Sequence, residues 1–198
     1  MPAWQHALLG AIGRNAHRLS HLAEDLLALI GLDAQQLAGG ESPVDLRDVL
    51  STLRLEVPDM LAERTMTVDV YAPAIPMLMN GNARLLERAL CNMLVNANKF
   101  TGDGGSGSCG AQRMGDRLHL FVRDTGIGID PDELSLVFTR FYRSREAEKR
   151  AIPGTGLGLS LVEGIARRHR GTVGVESQIG AGSHFTLDLP CSAAAALP

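Results

Sequence analysis

Leu118, Leu120 and Val122 alternate with other residues and run without a break into Asp124-Thr125-Gly126-Ile127-Gly128-Ile129. Alternation at period two is a strand with one buried face, and two glycines in quick succession end it sharply. The chain must therefore build a sheet that delivers a carboxylate into a loop whose backbone can approach other groups closely. The covering helices are legible. Asn82 caps a helix that carries Leu85, Leu86, Ala89, Leu90, Met93, Leu94 and Ala97. A second helix is read from Gly158 to Arg168. A third runs from about Asp45 to Glu63, with Leu46, Val49, Leu50, Leu53 and Val57 on one face, and Pro58 is expected to kink or split it. Further strands are expected at Met66–Tyr71, Ile75–Met79, around Thr172–Ser177 and at His184–Leu189. Pro131–Phe138 reads as a short helix and Arg143–Pro153 as a mobile polar loop. Helices and strands in segregated blocks imply an α+β fold, a two-layer α/β sandwich with a mostly antiparallel sheet and helices on one face.

A long helix precedes this domain. Over residues 5–38, Leu8, Ile12, Asn15, Leu19, Leu22, Leu26 and Leu29 recur at alternating steps of four and three. That is the seam of a helical bundle or coiled coil, about 33 Å long. The same pattern also suits a helix packed on its own globular domain. Asn15 either fixes register against a partner or sits at a solvated edge. Gly39-Gly40 and Ser42-Pro43 form a linker. The expected organisation is thus a helical segment over residues 1–40, a domain over 41–190 and a disordered tail over 191–198.

Composition narrows the function. Net charge is −3 with no long basic run, which argues against a nucleic-acid surface. No stretch approaches the ~18 apolar residues of a membrane span, so no direct membrane span is expected. Cys91, Cys109 and Cys191 match neither a zinc spacing nor a disulfide framework. They read as reduced thiols in the cytoplasm, with any contact to the membrane's inner face made through a partner. Any phosphate must then be held by backbone amides, a metal ion and a few placed cations.

Four short motifs supply such groups. In Asn92-Met93-Leu94-Val95-Asn96-Ala97-Asn98-Lys99 the first and last asparagine of Asn92…Asn96 are four apart and project from one helix face, with Lys99 a turn on. Such a row can hold a hydrated Mg²⁺ by oxygen, although two asparagines on a helix are common. Asp124, followed by Gly126 and Gly128, can accept a hydrogen bond from an exocyclic amine while backbone approaches a flat ring; Asp-x-Gly is also a plain turn. Phe138, Phe141, Tyr142 and Arg143 gather three of the chain's eight aromatics, either for core packing or as the base of the following loop. Gly154-Thr155-Gly156-Leu157-Gly158 opens directly into a helix, where free N–H groups and the helix dipole can cradle phosphate. It lacks the Gly-Lys-Ser/Thr of the usual phosphate loop.

Together the set resembles the catalytic domain of sensor histidine kinases, of the Bergerat ATP-binding fold shared with DNA gyrase and heat-shock chaperone ATPases. The motifs occur in that family's order, spaced 28 residues from Asn96 to Asp124, 14 on to Phe138 and 18 on to Gly156. Pro43-Val44-Asp45-Leu46, His169-x-Gly171 and Gly180-x-Gly182-Ser183-x-Phe185 extend the likeness over residues 43–190. The resemblance implies ATP and Mg²⁺ as ligands. Asn96 would bind Mg²⁺, Asn92 would support metal and phosphates, and Lys99 would contact phosphate. Asp124 would recognise the adenine amino group, with Gly126 and Gly128 letting backbone reach the ring. Gly154, Thr155, Gly156, Leu157 and Gly158 would hinge a lid and offer amides to the phosphates. Phe138, Phe141 and Tyr142 would anchor that lid, and Arg143 would reach the phosphates. In related ATPases a glutamate near the Asn92 position activates water; an amide cannot act as that base, so the γ-phosphate would be kept for a histidine.

Three departures stand out. Ser20-His21 continues as Leu22-Ala23-Glu24-Asp25, without the Arg-Thr-Pro of the family's phosphoacceptor motif. Residues 18–29 instead look like the second helix of the dimerisation hairpin, so the acceptor histidine is expected upstream of Met1 or on another chain, not at His21, His6 or His17. Gly104 to Gly110 reads Gly-Gly-Ser-Gly-Ser-Cys-Gly where the family has an alternating apolar strand, and a weakened strand is expected there. Arg170 stands where a second glycine is usual. The implied function is the ATP-binding catalytic part of a two-component histidine kinase acting on a histidine supplied in trans or by a missing upstream segment. The alternative is a nucleotide-binding regulatory module or a degenerate remnant without transfer. A serine kinase of the same fold is disfavoured. Implied partners are a histidine-bearing kinase or second protomer, met through the N-terminal helix, and a response regulator.

Overall fold

The structure is a computed structural model that describes residues 23–31, 41–61 and 66–191, together with isolated helical positions 5, 8 and 13. The chain divides into two compact units, one within 1–37 and one within 38–198. In the first, 23–31 is helical (α1). Of the expected seam, Leu8 and Leu26 are exposed and Leu29 is buried. Ile12, Asn15, Leu19, Leu22, the three histidines at 6, 17 and 21, the Gly39-Gly40 break and the tail after Cys191 lie outside the described residues.

In the second unit the elements follow in the order β1 (Ser42–Asp45), α2 (Leu46–Met60), β2 (Thr67–Tyr71), β3 (Leu78–Gly81), α3 (Ala83–Phe100), β4 (Ser106–Met114), β5 (Arg117–Asp124), α4 (Arg145–Lys149), α5 (Gly158–Arg168), β6 (Thr172–Gln178) and β7 (Gly182–Pro190). A five-stranded sheet runs β2-β4-β5-β7-β6, with β1 and β3 forming a separate antiparallel pair. Within the larger sheet only β2 and β4 are parallel. In β5 the residues Leu118, Leu120, Val122 and Asp124 are buried and the alternate ones are not, so one face is covered. The cover is α2, α3 and α5, whose Leu50, Leu53, Leu86, Leu90, Met93, Leu94, Leu161 and Ile165 are almost inaccessible. At ~1.5–3 kcal/mol for each such side chain, this aliphatic layer supplies the main drive to fold.

The caps follow the sequence. Asn82 Oδ1 accepts from Leu85 N at 3.2 Å at the start of α3, and Asp45 Oδ1 accepts from Arg47 N and Met77 N at the start of α2, both at 3.0 Å. A buried histidine ties α5 to α3. His169 Nδ1 donates to Ile165 O at 2.8 Å and Nε2 accepts the Asn82 amide at 3.0 Å.

Several expectations are corrected. The helix through Pro58 does not split; it runs on to Met60, so the proline falls in its last turn. Ser42–Asp45 is a strand, paired with Leu78–Gly81, because proline is tolerated in an edge strand that need not donate at that position. Pro131–Phe138 is no α-helix. It is a 3₁₀ turn at Pro131–Glu133 followed by turns in which Leu136 N bonds Glu133 O and Thr139 N bonds Leu136 O. That tighter path lets Glu133 and Phe138 reach different neighbours. The Arg143–Pro153 stretch contains α4, capped by Ser144 Oγ on Ala147 N. The glycine-rich stretch forms an interior strand of nine residues. A Cβ on Gly107 would lie 2.3 Å from Met66 Cε, and one on Gly110 would lie 2.9 Å from Phe121 Cζ. Neighbouring side chains fill the space the glycines leave.

Candidate functional site

Helix α3 is the spine of the site. Asn92, Asn96 and Lys99 are half-buried along it. Asn92 Nδ2 donates to Arg88 O at 2.9 Å, which fixes its amide and turns Oδ1 toward the start of α5. There a Cβ on Gly158 would stand 2.8 Å from Asn92 Oδ1 and 3.9 Å from Asn96 Nδ2. Helix α5 begins at Gly158 with no side-chain cap, so its first-turn N–H groups open beside the two asparagine amides. Leu157 is fully buried and pins this helix start; its N–H is met by Thr155 Oγ1 at 3.2 Å.

The acid stands at the end of β5, and the loop that follows it meets the C-terminal end of α3. Asp124 is 4% exposed, and its Oδ1 accepts from Gly126 N at 2.8 Å and Ser183 N at 3.2 Å. Among the described residues Oδ2 accepts no hydrogen bond. Burial pushes the Asp124 carboxyl above the ordinary carboxylate range, and the two backbone donors oppose that shift. The loop beyond is tied to α3, since Ile127 N donates to Phe100 O at 3.1 Å and a Cβ on Gly126 would lie 2.6 Å from that carbonyl oxygen. Gly128 has φ +72°, and a Cβ there would come within 2.0 Å of Gln178 O.

The aromatic motif and the glycine loop meet through backbone. Phe141 N donates to Gly156 O at 2.9 Å. Gly156 has φ +74°, and its absent Cβ would fall 2.6 Å from Phe141 C. Phe138 packs edge-on against Phe185 of β7, with centroids 6.3 Å apart. Phe141 is exposed. Arg143, expected at the phosphates, is turned to the loop itself. Its Nη1 donates to Gly154 O at 2.5 Å and its Nη2 to Ile152 O at 2.6 Å.

Sequence reasoning missed two contributors. Ser183 supplies an amide to Asp124, and the Gly180-x-Gly182-Ser183 turn, legible as a pattern, was the signal for it. Glu133 is a buried carboxylate that binds Tyr142 and Arg145. Nothing local marks it, because exposed and buried glutamates look alike in sequence.

An amide row, an uncapped helix start and a strand-end acid on one helix–sheet frame define a nucleotide-binding ATPase-type domain. Residues 81–193 match the family of histidine kinase-, DNA gyrase B- and HSP90-like ATPases, and the chain belongs to that family. Among curated proteins it is 34% identical to the sensor histidine kinase RppB of Synechocystis sp., over 93% of this chain and 41% of that protein. It is also 34% identical to the phosphate regulon sensor protein PhoR of Pseudomonas aeruginosa, with the same coverage. The chain thus spans about two fifths of the length of these relatives. Among solved structures, full-length ShkA in complex with AMPPNP superposes with a TM-score of 0.77 at 25% identity, covering 99% of this chain and 41% of that one. The mycobacterial sensor histidine kinase MprB gives 0.63 at 29% identity, covering 76% of this chain and 97% of that one.

Proposed function

We propose that this chain is the ATP-binding catalytic part of a two-component sensor histidine kinase, which transfers the γ-phosphoryl group to a histidine supplied in trans or by an upstream segment. The observation that carries the reading is the meeting of Asn92 and Asn96 with the uncapped start of α5 at Gly158. Likeness to sensor histidine kinases supports it, as does the nucleotide analogue bound by ShkA.

Each residue has a derived task. Asp124 Oδ2 accepts from the adenine amino group, while Gly126 and Gly128 bring backbone against the ring. The α5 amides donate to phosphate oxygens, and Lys99 adds a cation there. The donor set suits Mg²⁺. Among the described residues no cluster of three or more His, Cys, Asp or Glu can hold a metal alone, and Mg²⁺ characteristically binds through a few hard protein oxygens, water and substrate phosphates. Asn96 Oδ1 would hold the ion, and Asn92 would support the metal and phosphates. Bound there, the ion would neutralise charge developing on the phosphates. Transfer then rests on positioning and electrostatics. Because Asn92 carries an amide and not a carboxylate, it does not deprotonate water, and the phosphoryl group is reserved for the imidazole nitrogen.

The histidine-bearing partner, or a second protomer, is met through the N-terminal helix, where Leu27 and Ile30 are exposed. A response regulator takes the phosphoryl group onward. The domain works in the cytoplasm, and no described helix is long and apolar enough to cross a membrane. The test mixes the protein, γ-labelled ATP and Mg²⁺ with a partner that carries an intact histidine motif. Acid-labile label on the partner is expected. Nucleotide binding without transfer would leave only the regulatory-module reading.

A further inference from the structure

Glu133 lies outside every motif, yet it is the most densely bonded carboxylate in the lid region. Its side chain is 7% exposed. Three donors converge on Oε1: Tyr142 Oη at 2.8 Å, Arg145 N at 2.9 Å and Arg145 Nε at 3.4 Å. Arg145 also reaches Asp130 Oδ2 at 3.0 Å, and Asp130 caps the 3₁₀ turn that presents Glu133. A buried carboxylate is costly unless it is paired and hydrogen-bonded in this way. Here burial raises the pKa and the Arg145 amide, the Tyr142 hydroxyl and the Arg145 charge outweigh it, so the group sits below the usual carboxylate range.

The position of these bonds gives them reach. Tyr142 and Arg145 flank Arg143, whose guanidinium holds the carbonyls of Ile152 and Gly154. Phe141, on the other side of Tyr142, holds Gly156 O. Fixing residues 142 and 145 therefore fixes both grips on the glycine loop, and that loop ends at Gly158 against Asn92. We propose that Glu133 is the positioning residue of this lid, a buried anion that sets the 141–145 segment and through it the register of the 152–158 loop over the phosphate site. The proposal rests on the nucleotide reading above for its consequence, but not for its geometry.

The test uses the full chain with Glu133→Gln, which keeps size and loses charge, and Tyr142→Phe, which removes one donor. Amide hydrogen exchange without nucleotide is expected to speed up across residues 142–156 by about tenfold in Glu133→Gln, with strands β5 and β7 unchanged; one lost charge-assisted bond has about that effect. Titration with Mg-ATP is expected to show about tenfold weaker binding in Glu133→Gln and a smaller loss in Tyr142→Phe, with the melting temperature little changed. Unchanged exchange in the lid overturns the proposal. So does faster exchange throughout the domain, which would make Glu133 a general stability residue. Wild-type protein that fails to bind Mg-ATP would overturn the nucleotide reading instead, and the exchange measurement would still decide the role of Glu133. Should Glu133→Gln not fold, Tyr142→Phe alone carries the same comparison, since unaltered lid exchange there removes the linkage proposed.

Discussion

Two glycine-rich stretches in this chain do opposite work. Residues 104–110 and 154–158 have similar composition, and both would be read as flexible. In the first, the glycines of β4 are pressed by Met66 and Phe121, so the missing side chains are replaced by neighbours and an interior strand results. In the second, the missing Cβ at Gly158 keeps room beside Asn92 Oδ1, and Gly156 takes a left-handed backbone that holds Phe141. A glycine is thus a packing device where other side chains lean in, and it keeps an opening where space is held beside polar groups.

That distinction can be broken by substitution. The largest effect is expected opposite the loop. Asn96→Ala removes a half-buried amide from the proposed phosphate site, and Mg-ATP-dependent transfer to a partner histidine should fall at least ~100-fold, with the melting temperature nearly unchanged. Gly158→Ala comes next. A methyl group 2.8 Å from Asn92 Oδ1 should cost about 10-fold or more in nucleotide affinity, measured by calorimetry. Gly158 is the first residue of α5, where helix propensity counts for little, so the melting temperature should hold while affinity falls. On the strand side, Gly107→Ala should do the reverse. Its methyl group meets Met66 Cε at 2.3 Å and Arg123 O at 3.1 Å, and overpacking of this kind costs ~1–3 kcal/mol of stability. Denaturant unfolding should show that loss while nucleotide affinity holds. If Gly107→Ala weakened affinity as much as Gly158→Ala, the two stretches would not be separate devices.

The smallest effect is a pH dependence set by two histidines that lie outside both stretches. Burial lowers the pKa of His169 below the ordinary 6.5, and burial with Arg123 lowers that of His184. The unfolded chain therefore binds more protons than the folded one once pH falls through 6.5. The stability contribution is fully present above that value and is lost as pH drops toward the lower folded pKa. Thermal midpoints at about pH 8 and about pH 6 should differ in that direction, and His169→Gln should shrink the difference. The thiols of Cys91 and Cys109 add nothing here, since burial pushes them up to about 11 and about 12.

Much of the frame was legible in residues alone. The period of Leu86, Leu90, Met93 and Leu94 gave α3 its buried side, and Asn82 gave it a start. The alternation of Leu118, Leu120 and Val122 gave β5 its covered face. Less legible was the path from Asp130 to Pro153. Pro131–Phe138 reads as a helix and Arg143–Pro153 as a loop, yet the first is a 3₁₀ turn followed by further turns, Ser144 starts a helix, and Glu133 binds residues 9 and 12 positions away. The strand at Ser42–Asp45 was hidden for a related reason, since its partner lies beyond α2 and β2. The direction in which Arg143 turns was not legible, because a guanidinium satisfies its donors equally well on phosphate or on carbonyl oxygen.

What this sequence determined by itself was periodicity, caps and the order of its polar motifs, because each depends on residues within a turn or two of one another. Only the tertiary structure decided which glycines are filled and which stay open, which way Arg143 turns and that Glu133 is buried. Those outcomes turn on distance between segments far apart in the chain, and the free energy of a polar group or an empty Cβ position is set by whatever the fold brings against it.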